Sequence, residues 1–148
     1  MSGYYDIYTL APERTAAVIH KFLGQFVPLR VQSEVEYSLP QFSDIPVTVL
    51  ETADELIQHC VAHSTESHAI YWRNLKEIDP AHAVAFFTAD GALIMGLSVA
   101  AEPAAWLRKL QEAVGGTNSC VMFEEPPPET VEDLRKVAET RDLNGLSR

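Results

Sequence analysis

The stretch A-V-A-F-F-T-A-D-G-A-L-I-M-G-L-S-V-A, residues 83–100, decides the fold. Asp90-Gly91 sits at its middle, and an Asp-Gly pair between two apolar runs suits a two-residue type I′ turn, whose central residues both need positive φ. That turn sets Thr88 opposite Leu93, Phe87 opposite Ile94, Phe86 opposite Met95 and Ala85 opposite Gly96. Both strands carry apolar side chains on both faces. A half-solvated strand would alternate, so this hairpin belongs at the centre of a sheet with cover on each side.

Upstream, Tyr4 to Leu10 is short, aromatic and β-branched, and reads as a first strand. Pro12 stands where a first helical turn tolerates it. Ile19, Phe22, Leu23 and Phe26 then fall at i, i+3, i+4, i+7 on one helical stripe that stops before Pro28. Leu29 to Asp44 gives mixed signals, with Val31, Val35 and Tyr37 alternating before Pro40, and reads as a ragged edge strand and a loop. Ile45 to Leu50 is a strand in which Ile45, Val47 and Val49 share a face. It leads into Thr52-Ala53-Asp54-Glu55, a capping box. Ala53, Leu56, Ile57, Cys60 and Val61 form the stripe of the helix that follows. His68 to Asn74 is the next strand, joined to the hairpin through a polar link with Asp79-Pro80.

Downstream, Pro103 opens a helix with Trp106, Leu107, Leu110, Ala113 and Val114 on one side, and Gly115-Gly116 closes it. Ser119 to Phe123 returns as a strand, expected to lie parallel to Leu93–Val99 through a right-handed crossover. In C-V-M-F-E-E-P-P-P-E-T-V-E-D-L, residues 120–134, the prolines hold the chain extended, and Thr130 with Asp133 caps a last helix reaching about Thr140. Glu129, Glu132 and Asp133 suit the positive end of that helix, each worth about 0.3–1 kcal/mol there. Glu124 and Glu125 gain nothing from the dipole, and strand alternation sends them to opposite faces. The reading is one α+β domain over residues 1–140 with a tail over 141–148. Its sheet is mixed and mainly antiparallel, centred on the Asp-Gly hairpin and packed by about four helices.

A 148-residue chain buries roughly 68–70% of its unfolded surface, enough for a core without staples. The 47% hydrophobic and 22% charged fractions exclude general disorder and fibrous repeats. With 21 acidic against 11 basic residues, the net charge of -10 opposes nucleic acid, whose phosphates need clustered Lys and Arg. The same field either speeds encounter with a cationic protein surface or a metal ion, or serves solubility alone. Two cysteines, Cys60 and Cys120, make no disulfide scaffold or metal framework and fit a reducing compartment. No basic-then-apolar leader opens the chain and no 18-residue apolar run occurs, so a cytoplasmic, non-membrane protein is expected.

Catalytic signatures fail on chemistry. His59 and His63 share a helix face at i, i+4, but Cys60 stands where a zinc-dependent hydrolase needs glutamate. Two readings stay open there: a structural metal completed by a distant carboxylate, or two histidines on the flank of a surface helix. No Ser- or Cys-centred nucleophile motif occurs, and M-G-L-S at 95–98 lacks the second glycine. Gly115-Gly116 follows a helix instead of opening one, so no phosphate loop exists and no cofactor is expected. No spacing singles out a pair of catalytic carboxylates.

Tyr71-Trp72-Arg73 carries the residue types that dominate interface energetics. It reads either as a recognition patch, or as Trp72 in the core with Tyr71 and Arg73 outside. Glu124, Glu125, Glu129 and Glu132 complete the candidate partner-binding set. The Y-W-R-N stretch at 71–74, the F-F-T-A-D-G-A-L-I-M-G-L-S hairpin and the acidic last strand leading into E-P-P-P resemble small bacterial α+β proteins of the toxin-immunity type. That resemblance implies a cytosolic, cofactor-free inhibitor that covers a toxin's active site or an exosite, and an acidic surface suits a basic toxin. It carries no catalytic residue. The leading expectation is therefore non-enzymatic binding of a cationic protein. The alternatives are a small-molecule-binding domain or enzyme with a pocket under Phe86 and Phe87 beside the hairpin, and a homodimer that buries the open sheet edge.

Overall fold

The computed structural model describes residues 3–41, 45 and 48–146. Chain order is β1 (Tyr5–Leu10), α1 (Ala16–Phe26), β2 (Arg30–Gln32), β3 (Tyr37–Leu39), β4 (Thr48–Leu50), α2 (Ala53–Ala62), β5 (His68–Asn74), β6 (His82–Phe87), β7 (Leu93–Val99), α3 (Pro103–Val114), β8 (Thr117–Phe123) and α4 (Val131–Leu146). Six strands form one sheet in the order β2-β5-β6-β7-β1-β8, and β3 with β4 makes a separate two-stranded ribbon. Every ladder pair among the described residues is antiparallel. The α+β class and the central position of the hairpin are as the sequence predicts.

Two details of the sheet differ. Phe87 pairs with Leu93, Phe86 with Ile94, Ala85 with Met95 and Val84 with Gly96, one residue away from the expected register. The turn holds three residues instead of two: Gly91 N–H donates to Thr88 O, Thr88 N–H donates to Ala92 O, and only Gly91 has positive φ, at 87°. This is a type I turn followed by a left-handed glycine. An alternating strand would have fixed its own register, because a one-residue slip turns its apolar face outward. These strands are apolar on both faces, so the turn decides. The second difference concerns β8, which runs parallel to β7 but does not touch it. β1 lies between them and pairs with both.

The helices split unevenly over the two faces. On one face lie α1, α2 and α3, with Ile19, Phe22, Leu23, Leu56, Ile57, Leu107 and Leu110 packed over Ile7, Ile70, Ala85, Phe87, Met95 and Leu97. The predicted stripes of α1 and α2 are those that pack there, Val61 with part of its surface still exposed. α1 starts after Thr15, so Pro12 belongs to the preceding link and not to its first turn. The opposite face buries Tyr8, Val84, Phe86, Ile94 and Cys120 beneath Leu134 of α4. Each large apolar side chain contributes about 1.5–3 kcal/mol when buried, so leaving this second face bare would forfeit a sizeable share of a typical stability of roughly 5–15 kcal/mol. α4 continues through Leu146, past the expected end near Thr140. Ile45 is exposed, and Val47, expected to share its strand face, lies outside the described residues.

One side chain joins these layers at the hairpin tip. Arg14, in the β1–α1 link, donates from Nη1 to Thr88 O at 2.8 Å and Ala92 O at 3.0 Å. It also donates from Nε and Nη2 to Cys60 O, and from Nη2 to His63 O and Glu66 O at 3.1 and 2.8 Å. Its guanidinium lies 4.9 Å from the centre of the Phe87 ring. The last carbonyls of α2 have no partner within the helix, and a planar five-donor fork satisfies them together with those of the turn. On the other face, Asp90 Oδ2 accepts from Val131 N–H at 3.0 Å and so fixes the start of α4. We predict that Arg14→Ala lowers the unfolding free energy by about 3 kcal/mol, one or two charge-assisted bonds net of rehydration. Arg14→Lys should recover less than half of that loss, because an ammonium cannot span five carbonyls. Urea denaturation of the two variants checks both values.

Candidate functional site: the open half of the sheet

α4 packs chiefly against β8, at one edge of the sheet. The far part of the same face, over β5 and β2, is uncovered, and Tyr71, Arg73 and Val31 are exposed there. Side chains in register across antiparallel strands share a face. One row therefore runs Arg73 (β5), His82 (β6), Ser98 (β7) and Asp6 (β1). The next row toward the hairpin tip runs Tyr71, Val84, Gly96, Tyr8 and Cys120.

Asp6 is half-buried and doubly bonded. Ser98 Oγ donates to its Oδ1 at 2.7 Å, and the Glu125 N–H donates to its Oδ2 at 2.9 Å. Burial pushes its carboxyl above the ordinary value, against those two donors and the nearby His82. Tyr8 crosses the row on its way to the Glu125 carbonyl. Its ring fills the space over Gly96, where a Cβ would come within 2.5 Å of the ring. Burial, with Asp6 and Tyr71 adding to it, drives its phenol strongly upward, so Tyr8 stays neutral. Because Ser98 donates to Asp6, its hydroxyl is not held toward His82, and the row lacks the nucleophile-to-base bond that acyl transfer requires.

Among the described residues, two cavities open along β5. One, of about 400 Å³, opens at the wide end of the hairpin between Tyr4, Arg73, Lys76, Ile78 and His82, with Ala100 behind. Its wall is built: Asp79 accepts from the N–H groups of Ala100 and Ala101, Asn74 donates to Pro80 O, and His82 meets Tyr4 edge-on at 5.9 Å. The second, of about 300 Å³, lies between β3 and β5, lined by Glu34, Glu36, Tyr37, Gln41, His68 and Tyr71. Neither lies under Phe86 and Phe87, which are packed into the two cores.

Of the sequence-predicted residues, Tyr71 and Arg73 stand together on the open strip, whereas Trp72 is 4% exposed and packs in the core between the helices and the sheet. Glu124 and Glu125 do not alternate. β8 ends at Phe123, Glu124 turns into the left-handed region at φ 51°, and the chain leaves the strand to cross the face. Glu124 is exposed near Asp6, while Glu129 and Glu132 lie beyond the buried Pro127 and Pro128, at the hairpin-tip end. Glu132 makes an exposed pair with Lys136 at 3.8 Å. The four glutamates therefore do not form one patch. His59 and His63 stack at 4.2 Å between ring centres, His59 Nε2 lies 3.2 Å from Glu66 Oε1, and no three His, Cys, Asp or Glu side chains among the described residues gather around a common point. Cys60 and Cys120 are buried free thiols, and burial lifts Cys60 to about 12. No helix among the described residues is long and apolar enough to cross a membrane.

Asp6, Ser98, His82, Glu34, Glu36 and Tyr37 escape the sequence reading. Asp6 and Ser98 leave a trace there, Asp6 as the one charged residue of β1 and Ser98 as the one hydroxyl of β7. Comparison with protein-family models, curated proteins and solved structures finds no match to this chain.

His68 supplies a pH test of the second cavity. Its Nδ1 lies 3.0 Å from Ala69 O and its Nε2 3.1 Å from Ser38 O, two acceptors of which a neutral ring can donate to only one. Burial nevertheless outweighs them and lowers its pKa below the ordinary 6.5. A depressed folded value means that the stability from neutral His68 is complete above pH 6.5 and is lost as the pH falls through the lower folded value. We expect denaturation midpoints of the wild-type chain to fall on acidification below 6.5, and His68→Gln to flatten that part of the profile.

Proposed function

We propose that this chain is a non-enzymatic binding protein that engages a cationic protein through the open strip of β5 and β2. Inhibition of a basic toxin is the specific form that the immunity-type resemblance suggests. The carrying observation is the uneven cover of the sheet: a face that needs burial under α4 is left bare over Val31, Tyr71 and Arg73. Tyr and Arg are enriched at binding hot spots, and a rim of carboxylates, Glu34, Glu36 and Glu124, supplies long-range attraction. The net charge of -10 extends that field over the whole molecule. Buried free thiols fit a reducing, cytoplasmic setting.

The test is capture of a basic protein from the cells that make this chain, followed by affinity measurement with the purified partner. Affinity should fall at least roughly tenfold between low salt and about half-molar salt. Val31→Asp with Tyr71→Ala should cost roughly 2 kcal/mol or more, while Glu129→Gln with Glu132→Gln, at the other end of the face, should cost little. Binding that ignores the first pair of substitutions removes the proposal.

A second reading draws on the larger cavity, where Arg73 and Lys76 stand without an ion pair among the described residues, beside His82 and Tyr4. If this is a small-anion site, phosphate or a small carboxylate should raise the melting temperature saturably. Arg73→Ala with Lys76→Ala should abolish that rise, and Tyr71→Ala should not.

A further inference from the structure

We infer that the cavity between β3 and β5 receives one arginine side chain of the cationic partner, an inference that rests on the binding reading above. The cavity forms where the sheet edge is interrupted. β2 pairs only with Trp72 to Asn74, and the Ser33 N–H reaches Tyr71 O, so residues 68–70 of β5, paired with β6 on one side, have no described strand on the other. The Gln41 side chain stands in, its Oε1 accepting from Ala69 N–H at 2.9 Å and its Nε2 donating to Ala69 O at 3.4 Å. A hollow of about 300 Å³ remains beside this substitute rung, bounded by Tyr37 and Tyr71 with Glu34 and Glu36 at its rim.

The Tyr37 hydroxyl points to a missing occupant. Tyr37 is 2% exposed, it lines the hollow, and its hydroxyl has no hydrogen-bond partner among the described residues. Buried hydroxyls are almost always paired, and an exception calls for an explanation. Glu34 acts on this phenol electrostatically, which places the two groups close together, and burial with that carboxylate raises its pKa to about 12, so at neutral pH the oxygen is a hydroxyl able to accept. The wall adds further acceptors, two carboxylates in no ion pair among the described residues and the Ser38 and Ala69 carbonyls, while its Gln41 amide and His68 ring are already turned to those carbonyls.

An acceptor-rich hollow with anionic rim and aromatic rings selects a cationic donor. Its volume is at the lower limit of ligand sites and holds one side chain. A planar guanidinium can lie against a tyrosine ring while donating in its own plane to Glu34, Glu36 and the Tyr37 oxygen; a compact ammonium cannot do both.

The experiment is a nuclear magnetic resonance titration of the isotope-labelled full chain with N-acetyl-arginine amide, with N-acetyl-citrulline amide as the neutral isostere. The arginine probe should give saturable shifts centred on Tyr37, His68, Ala69 and Tyr71, and the citrulline probe should bind roughly tenfold more weakly or worse. Tyr37→Phe removes only the hydroxyl. It should leave the unfolding midpoint unchanged or higher while weakening the arginine probe roughly fivefold. Glu34→Gln with Glu36→Gln should weaken it by about tenfold. Equal response to citrulline, or unchanged affinity in these variants, overturns the inference. If the arginine probe does not saturate while the intact partner is still captured, the hollow is not an arginine receptor and the open-strip reading stands. If the probe binds as described but no basic partner is captured, the hollow stands and the open-strip reading fails.

Discussion

The β6–β7 hairpin buries side chains on both of its faces, Ala85, Phe87, Met95 and Leu97 on one and Val84, Phe86 and Ile94 on the other. The free energy of burying both sets requires a layer on each side, and the rest of the architecture answers that requirement. Both layers are tied to the hairpin tip. Arg14 binds the turn carbonyls Thr88 O and Ala92 O to the end of α2, and Asp90 in the same turn receives the first N–H of α4. The tip is thus the point where the connection from β1, the first layer and the second layer meet.

The two layers do not match in width. Three helices cover one face, while a single helix and the E-P-P-P segment must cover the other, and α4 settles over β8 at the far edge. Polar residues occupy the margin where that cover thins: Asp6, Ser98 and His82 stand side by side, with Arg73 next in the row. Beyond the margin Tyr71 and Val31 face solvent. Under the proposed function, a partner supplies the cover that this strip lacks between its carboxylates and the two cavities.

Much of this architecture is legible in the residues themselves. The apolar stripe of α1, the Thr52 cap of α2, accepting from Glu55 N–H at 3.1 Å, and the His68–Asn74 strand are local patterns, and each forms where its spacing places it. What escapes is non-local. No spacing tells that β1 slots between β7 and β8, because β1 is separated from β7 by more than eighty residues. The hairpin register escapes because two-sided apolar strands offer no alternation to fix it. The candidate site follows from those same non-local facts: Asp6, Ser98 and His82 are neighbours only through strand register, and Arg14 is an ordinary surface-type residue until the fold brings five carbonyls around it. Strand alternation alone separates Tyr71 and Arg73 from Trp72, which lies on the helix-covered face; that their own face stays open follows from the edge position of α4, which no spacing tells.

Hydroxyl-radical footprinting of the chain, free and in complex with the basic partner proposed above, tests the uneven cover and its proposed use together. In the free protein Tyr71 should label readily while Tyr8 and Phe86, at 2% and 8% exposure, remain protected, and on complex formation Tyr71 should become protected in its turn. Labelling of Tyr8 and Phe86 as fast as Tyr71, or a complex that shields the outer faces of α1–α3 while Tyr71 stays reactive, would contradict the account.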